Sequence, residues 1–182
     1  MKVVETGFEG LFVLEPRVFA DERGYFFESF NSQTFENNGL AFDWVQDNQS
    51  HSTHGVIRGL HFQKPPHAQT KLIRVLRGEI LDAVVDLRHK SPTYGKSFSV
   101  VLSSQNNLQL LVPKGFAHGF SVLSEEADVM YKCDAFYNKE AESGILFNDS
   151  QLGIDWKVEQ DKVVVSEKDL ILPAFDPSQI IF

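Results

Sequence analysis

Apolar residues in this chain recur in short runs broken by Gly, Pro, Asn or Ser, and within the longer runs they alternate with polar ones. A period of two places successive side chains on opposite faces of an extended strand, so the pattern predicts β-structure rather than amphipathic helix. Strands are expected near residues 10–15, 25–30, 44–52, 56–63, 71–77, 80–87, 97–102, 108–112, 119–124 and 128–136. That spacing suits a sandwich or barrel. One helix is expected in NSQTFENNG, where Asn31 or Ser32 can cap the start and Gly39 the end. The stretch NDSQLGIDWKVEQDKVVVSEKDLILPAFD, residues 148–176, loses the alternation and is expected to pack as turns or a short helix across the sheet. No linker, repeat or low-complexity segment divides the chain, so residues 1–182 are expected to form a single domain.

The alternation also assigns faces. In KLIRVLRGEILDAVVDLR, residues 71–88, Lys71, Ile73 and Val75 share one face, and Leu72, Arg74 and Leu76 share the other. In DVMYKCDAFY, residues 128–137, the same rule groups Val129, Tyr131 and Cys133. Taken alone, such a lysine snorkels from a strand end and such a tyrosine is a packed ring with a satisfied hydroxyl.

Composition narrows the class. A chain of 182 residues that is 42% hydrophobic and carries 16 phenylalanines can bury a real core. With 17 basic and 25 acidic side chains the net charge is −8, which disfavours nucleic acid or an anionic membrane as partner and leaves room for a local basic cluster around a small anion. Cys133 is the only cysteine, so no intrachain disulfide can form. MKVVETGFEG lacks the apolar run of a signal peptide, and no stretch approaches the roughly 20 apolar residues that span a bilayer. A cytoplasmic protein is expected.

Within GVIRGLHFQ, residues 55–63, an ionisable ring stands on a stretch that otherwise reads as a buried strand. Arg58 and His61 are three apart, so an unbroken strand would send them to opposite faces; a bulge at Gly59 would redirect one of them. VPKGFAHGF, residues 112–120, carries Pro-x-Gly-x-x-His at Pro113, Gly115 and His118, and resembles the second motif of the cupin superfamily. The first cupin motif is His-x-His followed by a glutamate seven residues before a glycine. Here those positions hold His61, Gln63, and Lys71 ahead of Gly78. A protonated lysine has no lone pair and repels a cation, so no metal is expected. A histidine, a lysine and a tyrosine pointing into a barrel suit proton transfer with stabilisation of negative charge.

The segments DERGYFFESF (21–30), QDNQSHS (46–52), VIRGLHFQ, QTKLIRVLRGEI, VPKGFAHGF, YKCDAFYNKEAESGILFND (131–149), LGIDW and SEKDL, in that order, make the resemblance much closer. Together they resemble the dTDP-4-dehydrorhamnose 3,5-epimerase family over nearly the whole chain. The resemblance implies an all-β, cupin-type jelly-roll barrel with short peripheral helices. It implies epimerisation of a dTDP-linked 4-keto-6-deoxysugar at carbons 3 and 5, giving dTDP-4-dehydro-L-rhamnose, with no cofactor and no metal. By resemblance His61 is the base, Asp169 of SEKDL its partner, Lys71 the cation beside the enolate oxygen, and Tyr131 the acid on the opposite ring face. Arg23 and Arg58 would hold pyrophosphate oxygens, with Glu28, Gln46, Asp47, Asn48, His118, Glu142 and Lys168 completing the substrate set. The family further implies a homodimer in which residues around 19–28 of one subunit complete the neighbour's site. Two alternatives stay open: an epimerase acting at carbon 3 or carbon 5 alone, and a non-catalytic cupin that binds a sugar nucleotide. A metal-dependent cupin oxygenase is disfavoured by Gln63 and Lys71.

Overall fold

The computed structural model describes residues 1–182. Its strands run β1 (Lys2–Glu5), β2 (Phe12–Glu15), β3 (Phe19–Asp21), β4 (Gly24–Phe26), β5 (Gln46–Thr53), β6 (Ile57–Gln63), β7 (Lys71–Arg77), β8 (Glu79–Asp86), β9 (Ser97–Ser103), β10 (Gln109–Val112), β11 (Phe116–Val122), β12 (Glu126–Cys133) and β13 (Glu142–Gly144). Two short helices, α1 (Ser32–Asn37) and α2 (Glu167–Leu170), lie outside the sheets. One sheet has the order β1-β2-β10-β7-β12-β5, the facing one β13-β6-β11-β8-β9, and β3-β4 is a separate hairpin. The crossovers between the facing sheets make the mostly-β jelly roll of the cupins. No helix is long and apolar enough to cross a membrane.

Side-chain parity explains why these segments pair. Ile73 and Val75 of β7, Leu110 and Val112 of β10 and Val129 of β12 meet Ile80 and Val84 of β8 and Phe116, Phe120 and Val122 of β11 in the central cluster. The other parity of β8 and β11, Ala83, Val85 and Ala117, is covered by Phe147, Leu152 and Trp156 from the region after β13. Leu72 and Leu111, on the outer face of the first sheet, are covered by Phe35 of α1 and by Leu40. Strands covered on both sides read as near-continuous apolar runs, and β8 (EILDAVVD) does. Fully burying each such Leu, Ile or Phe contributes about 1.5–3 kcal/mol.

Several boundaries differ from the sequence expectation. β1, β3 and β13, of only three or four residues each, were not expected, because so short a stretch shows too little alternation. β4 stops at Phe26 rather than continuing towards residue 30. β12 ends at Cys133, after which Asp134 turns to accept from Thr70 N at 2.7 Å. The helix is capped by Asn31, whose side chain accepts from Thr34 N, and Gly39 follows the C-cap with φ +74°.

β6 and β11 hold the local irregularity that shapes the interior. His118 pairs with His61 but Phe120 pairs with Arg58, so three steps along β6 match two along β11. This bulge puts Arg58 and His61 on the same, inward face while Ile57, Leu60 and Phe62 pack outward. Gly59 permits it: its φ is +135°, and a Cβ there would stand 2.6 Å from Gly119 Cα.

Candidate active site

Between the sheets a cavity of about 520 Å³ opens at one end of the barrel. Arg58 and His61 enter it from β6, Lys71 from β7, His118 from β11 and Tyr131 from β12, while Lys168 and Asp169 reach it from α2. The structure therefore gathers side chains up to 111 positions apart (Arg58 to Asp169), because the jelly roll interleaves distant strands and the chain returns over the barrel mouth.

His61 Nε2 lies 2.7 Å from Asp169 Oδ1. A carboxylate accepts, so Nε2 carries the proton and Nδ1 is left with its lone pair. Asp169 is buried, its second oxygen accepts from Gly59 N at 3.4 Å, and its own N–H donates to Ser166 Oγ at 3.2 Å. The α2 cap thus sets the carboxylate, and the bulge at Gly59 turns a backbone N–H towards it. Burial lowers the pKa of His61 below its ordinary value, the hydrogen bond and charge of Asp169 raise it, and Lys71 and Lys168 lower it again. The net direction is downward, which favours the neutral, basic imidazole.

Lys71 Nζ lies 5.8 Å from the centroid of the Tyr131 ring. Burial lowers its pKa, opposed by Cys133, Asp82 and Glu142. For Tyr131 burial raises the pKa, Cys133 adds to that, and Arg58 opposes it, so the phenol is held protonated. Tyr131 pairs with Asn48 of β5 and Ile73 of β7, which aims it inward as the alternation requires. The Cys133 thiol, buried beside Lys71, is pushed up to about 11, chiefly by burial.

His118 is buried, and its Nε2 lies 2.6 Å from Asp82 Oδ1. Arg58 is steered by its Nε donating to Ser52 Oγ at 3.0 Å and one terminal nitrogen to His51 O at 3.3 Å. Near the mouth Lys168 Nζ donates to Glu142 Oε1 at 2.6 Å, and Tyr137 Oη to Glu142 Oε2 at 2.9 Å. Glu142 is held below the usual carboxylate range, first by Lys168 and also by Tyr137, with burial opposing.

The remaining expected residues fall in three places. Gln46 and Asn48 follow the inward parity of β5: Gln46 donates to Asn48 Oδ1 at 3.1 Å and accepts from Tyr137 N at 2.8 Å, and Asn48 donates to Cys133 Sγ at 3.7 Å. Asp47, between them in sequence, lies apart. Alternation turns it to the outer face, where it pairs with Lys132 at 3.0 Å, so its side chain stays out of the cavity. Arg23 and Glu28 also lie away from it within one chain. Arg23 is exposed and paired with Asp21, while Glu28 accepts from Asn31 Nδ2 at 2.9 Å beside a separate cavity of about 280 Å³.

Gln63, where metal-binding cupins have a histidine, ties two loops: it donates to His67 O at 2.7 Å and Phe136 O at 3.2 Å and accepts from Asn138 N at 2.6 Å. Nowhere do three or more His, Cys, Asp or Glu side chains gather as a metal-holding group. Asp82, Ser52, Tyr137 and Ser166 were not singled out in the sequence. A signal existed for Asp82, a carboxylate inside the apolar run of β8.

Residues 5–177 match the family model described as dTDP-4-dehydrorhamnose 3,5-epimerase. The chain is 50% identical over 169 residues to the dTDP-4-dehydrorhamnose 3,5-epimerase of Methanothermobacter thermautotrophicus, covering 92% of this chain and 91% of that one. It superposes on the crystal structure of dTDP-4-dehydrorhamnose 3,5-epimerase from Elizabethkingia anophelis NUHP1 with TM-score 0.92 and 53% identity, covering 96% of each chain. A dTDP-6-deoxy-D-glucose-3,5-epimerase from Legionella pneumophila Philadelphia 1, solved in complex with dTDP-4-keto-L-rhamnose, matches with TM-score 0.88 and 43% identity, covering 96% of this chain and 98% of that one.

Proposed function

Since the chain belongs to the dTDP-4-dehydrorhamnose 3,5-epimerase family and converts dTDP-4-keto-6-deoxyglucose to dTDP-4-keto-L-rhamnose, we propose the following division of labour in its cavity. His61 takes the proton from the carbon beside the ketone, and the electron pair of the broken C–H bond moves into the carbonyl to form an enolate. Lys71 stands against the 4-oxygen where that charge develops. Tyr131 delivers its proton to the same carbon from the other ring face, which inverts the centre. His61 is then protonated and Tyr131 ionised, and exchange with solvent restores both before the second carbon reacts.

The observation that carries the assignment of the base is the 2.7 Å contact between His61 and the buried Asp169, with burial holding the imidazole neutral. Arg58, Lys168 and His118 on the cavity wall suit the pyrophosphate and sugar hydroxyls, and Gln46 and Asn48 suit the base. Residues 1–182 act as one cupin-like epimerase domain, and the buried free thiol of Cys133 fits a reducing, cytoplasmic setting.

The working unit is a homodimer. Two features support this: the β3-β4 hairpin exposes the large apolar rings of Tyr25 at 60% and Phe26 at 71%, as an interface does, and Arg23 and Glu28 lie off their own cavity. On this reading the hairpin brings Arg23 and Glu28 to the neighbour's site. Mixing inactive Arg23→Ala and His61→Ala proteins under subunit exchange should restore turnover, since each mixed dimer holds one intact site. No recovery would refute the exchanged arm.

The test of the chemistry is incubation with dTDP-4-keto-6-deoxyglucose in deuterated water, followed by NMR. Deuterium should enter at both carbon 3 and carbon 5. Exchange at one carbon alone would mark a single-site epimerase, and none would mark a binding protein. With Tyr131→Phe, exchange through His61 should continue while inverted product falls sharply. An unchanged ratio of exchange to inversion would remove Tyr131 as the acid.

A further inference from the structure

β8 carries two aspartates of equal, complete burial, and the protein treats them differently. Asp86 accepts from Arg88 N, Nε and Nη2 and from the hydroxyls of Ser91 and Thr93, so both oxygens are satisfied many times over. Asp82 has one partner, His118 Nε2 at 2.6 Å, and its Oδ2 meets no donor at all. A carboxylate so poorly served by its own fold is costly to bury unless its charge is used by something nearby. Asp82 shares the inward parity of Ile80 and Val84, which places it in the floor of the cavity between the sheets, out of reach of any ligand.

We propose that Asp82 is a positioning residue of the epimerase site, fixing His118 with its Nε2–H turned to the floor and its Nδ1 turned to the substrate, and supplying the counter-charge beneath the Lys71 ammonium. As acceptor, the carboxylate sets which nitrogen of His118 carries the proton. Nδ1, which has no hydrogen-bond partner in the protein, then presents a fixed edge to a sugar hydroxyl. The groups that face Lys71 are His61 from β6, Asp82 from β8, His118 from β11, Tyr131 and Cys133 from β12 and Glu142 from β13. Of the two carboxylates among them, Glu142 is already engaged by Lys168 and Tyr137. Asp82 is the one with an oxygen to spare.

The inference rests on the epimerase reading for its kinetic consequence but not for its geometry, so two measurements separate them. In wild-type enzyme labelled with 15N-histidine, His118 should show a protonated Nε2; a neutral ring protonated on Nδ1 would overturn the proposal whatever the activity. In Asp82→Asn the amide can turn its NH2 to the ring and reverse the tautomer, and the counter-charge is gone. Its kcat/KM should fall about 10- to 100-fold, as when a metal-bound imidazole loses the carboxylate behind it. The basic limb of its pH profile should move to lower pH, because one influence holding Lys71 protonated is lost. Its Tm should hold or rise, since a buried charge is removed. A variant with lowered Tm but wild-type kcat/KM and pH profile would make Asp82 purely structural and end the proposal. Failure of wild-type enzyme to turn over the 4-keto sugar would instead count against the epimerase reading, leaving the His118 tautomer decided on its own spectrum.

Discussion

The cavity holds two imidazole–carboxylate pairs of nearly equal length, and they are built in opposite ways. His118 and Asp82 stand on adjacent strands, β11 and β8, their contact at 2.6 Å set by sheet register and closed from solvent. His61 and Asp169 are 108 residues apart at 2.7 Å, the ring partly open to the cavity and the carboxylate carried in by the turn of α2. A strand-to-strand pair is as rigid as the sheet and suits holding. A pair assembled from strand and returning tail leaves one ring edge uncovered, which suits a group that must take up and release a proton.

The largest effects fall on the imidazoles themselves. His61→Ala should lose turnover by about 10²- to 10⁴-fold, the usual weight of a general base, with binding of dTDP retained in calorimetry. His118→Ala should raise KM more than it lowers kcat; equal kcat losses in the two variants would erase the distinction. Next comes Lys71→Met, which keeps most of the stem and removes the charge. It should slow isotope exchange at carbon 3 and carbon 5 together by about 10²- to 10³-fold, because one cation serves both enolates. A loss confined to one carbon would show that the two enolates are stabilised by different groups.

The pH profile sharpens the contrast further. Burial lowers the pKa of His61 from its ordinary 6.5, so the acid limb of kcat/KM should have its midpoint below that value. Asp169 raises the His61 pKa, so in Asp169→Asn the limb should move lower still while the plateau rate falls. A limb that moves upward would contradict the assignment of the base. The smallest effect belongs to Ser166→Ala. Loss of this cap should loosen α2 by about 0.5–2 kcal/mol and reduce kcat several-fold, with Tm of the barrel nearly unchanged. Wild-type kcat would mean that Asp169 is held without its cap.

What the sequence made legible follows the same division. Strands β5 to β9, β11 and β12 were readable because each runs for seven or eight residues, and the alternation within β7 and β12 placed Lys71 and Tyr131 inward without further help. The bulge at Gly59 was readable too, since Arg58 and His61 could share a face in no other way. The pairing of His61 with Asp169 was not, because no local period links residues 108 positions apart; it came from family resemblance. The side of β5 that Asp47 takes was legible as well, since alternation sends the middle residue of QDN outward, opposite to Gln46 and Asn48. Asp82 was passed over although its place in β8 advertised a buried charge.

Asp169 lies beyond all thirteen strands, and this sets the order of events at birth. Synthesis runs from the N-terminus, and elements fold as they emerge. Both sheets can therefore close, with His61 already facing the cavity, before the carboxylate that orients it has left the ribosome. Shape comes first and competence afterwards, so a chain that stops just short of α2 would keep all thirteen strands and the Phe147, Leu152 and Trp156 cover of the second sheet, yet carry an unsupported base.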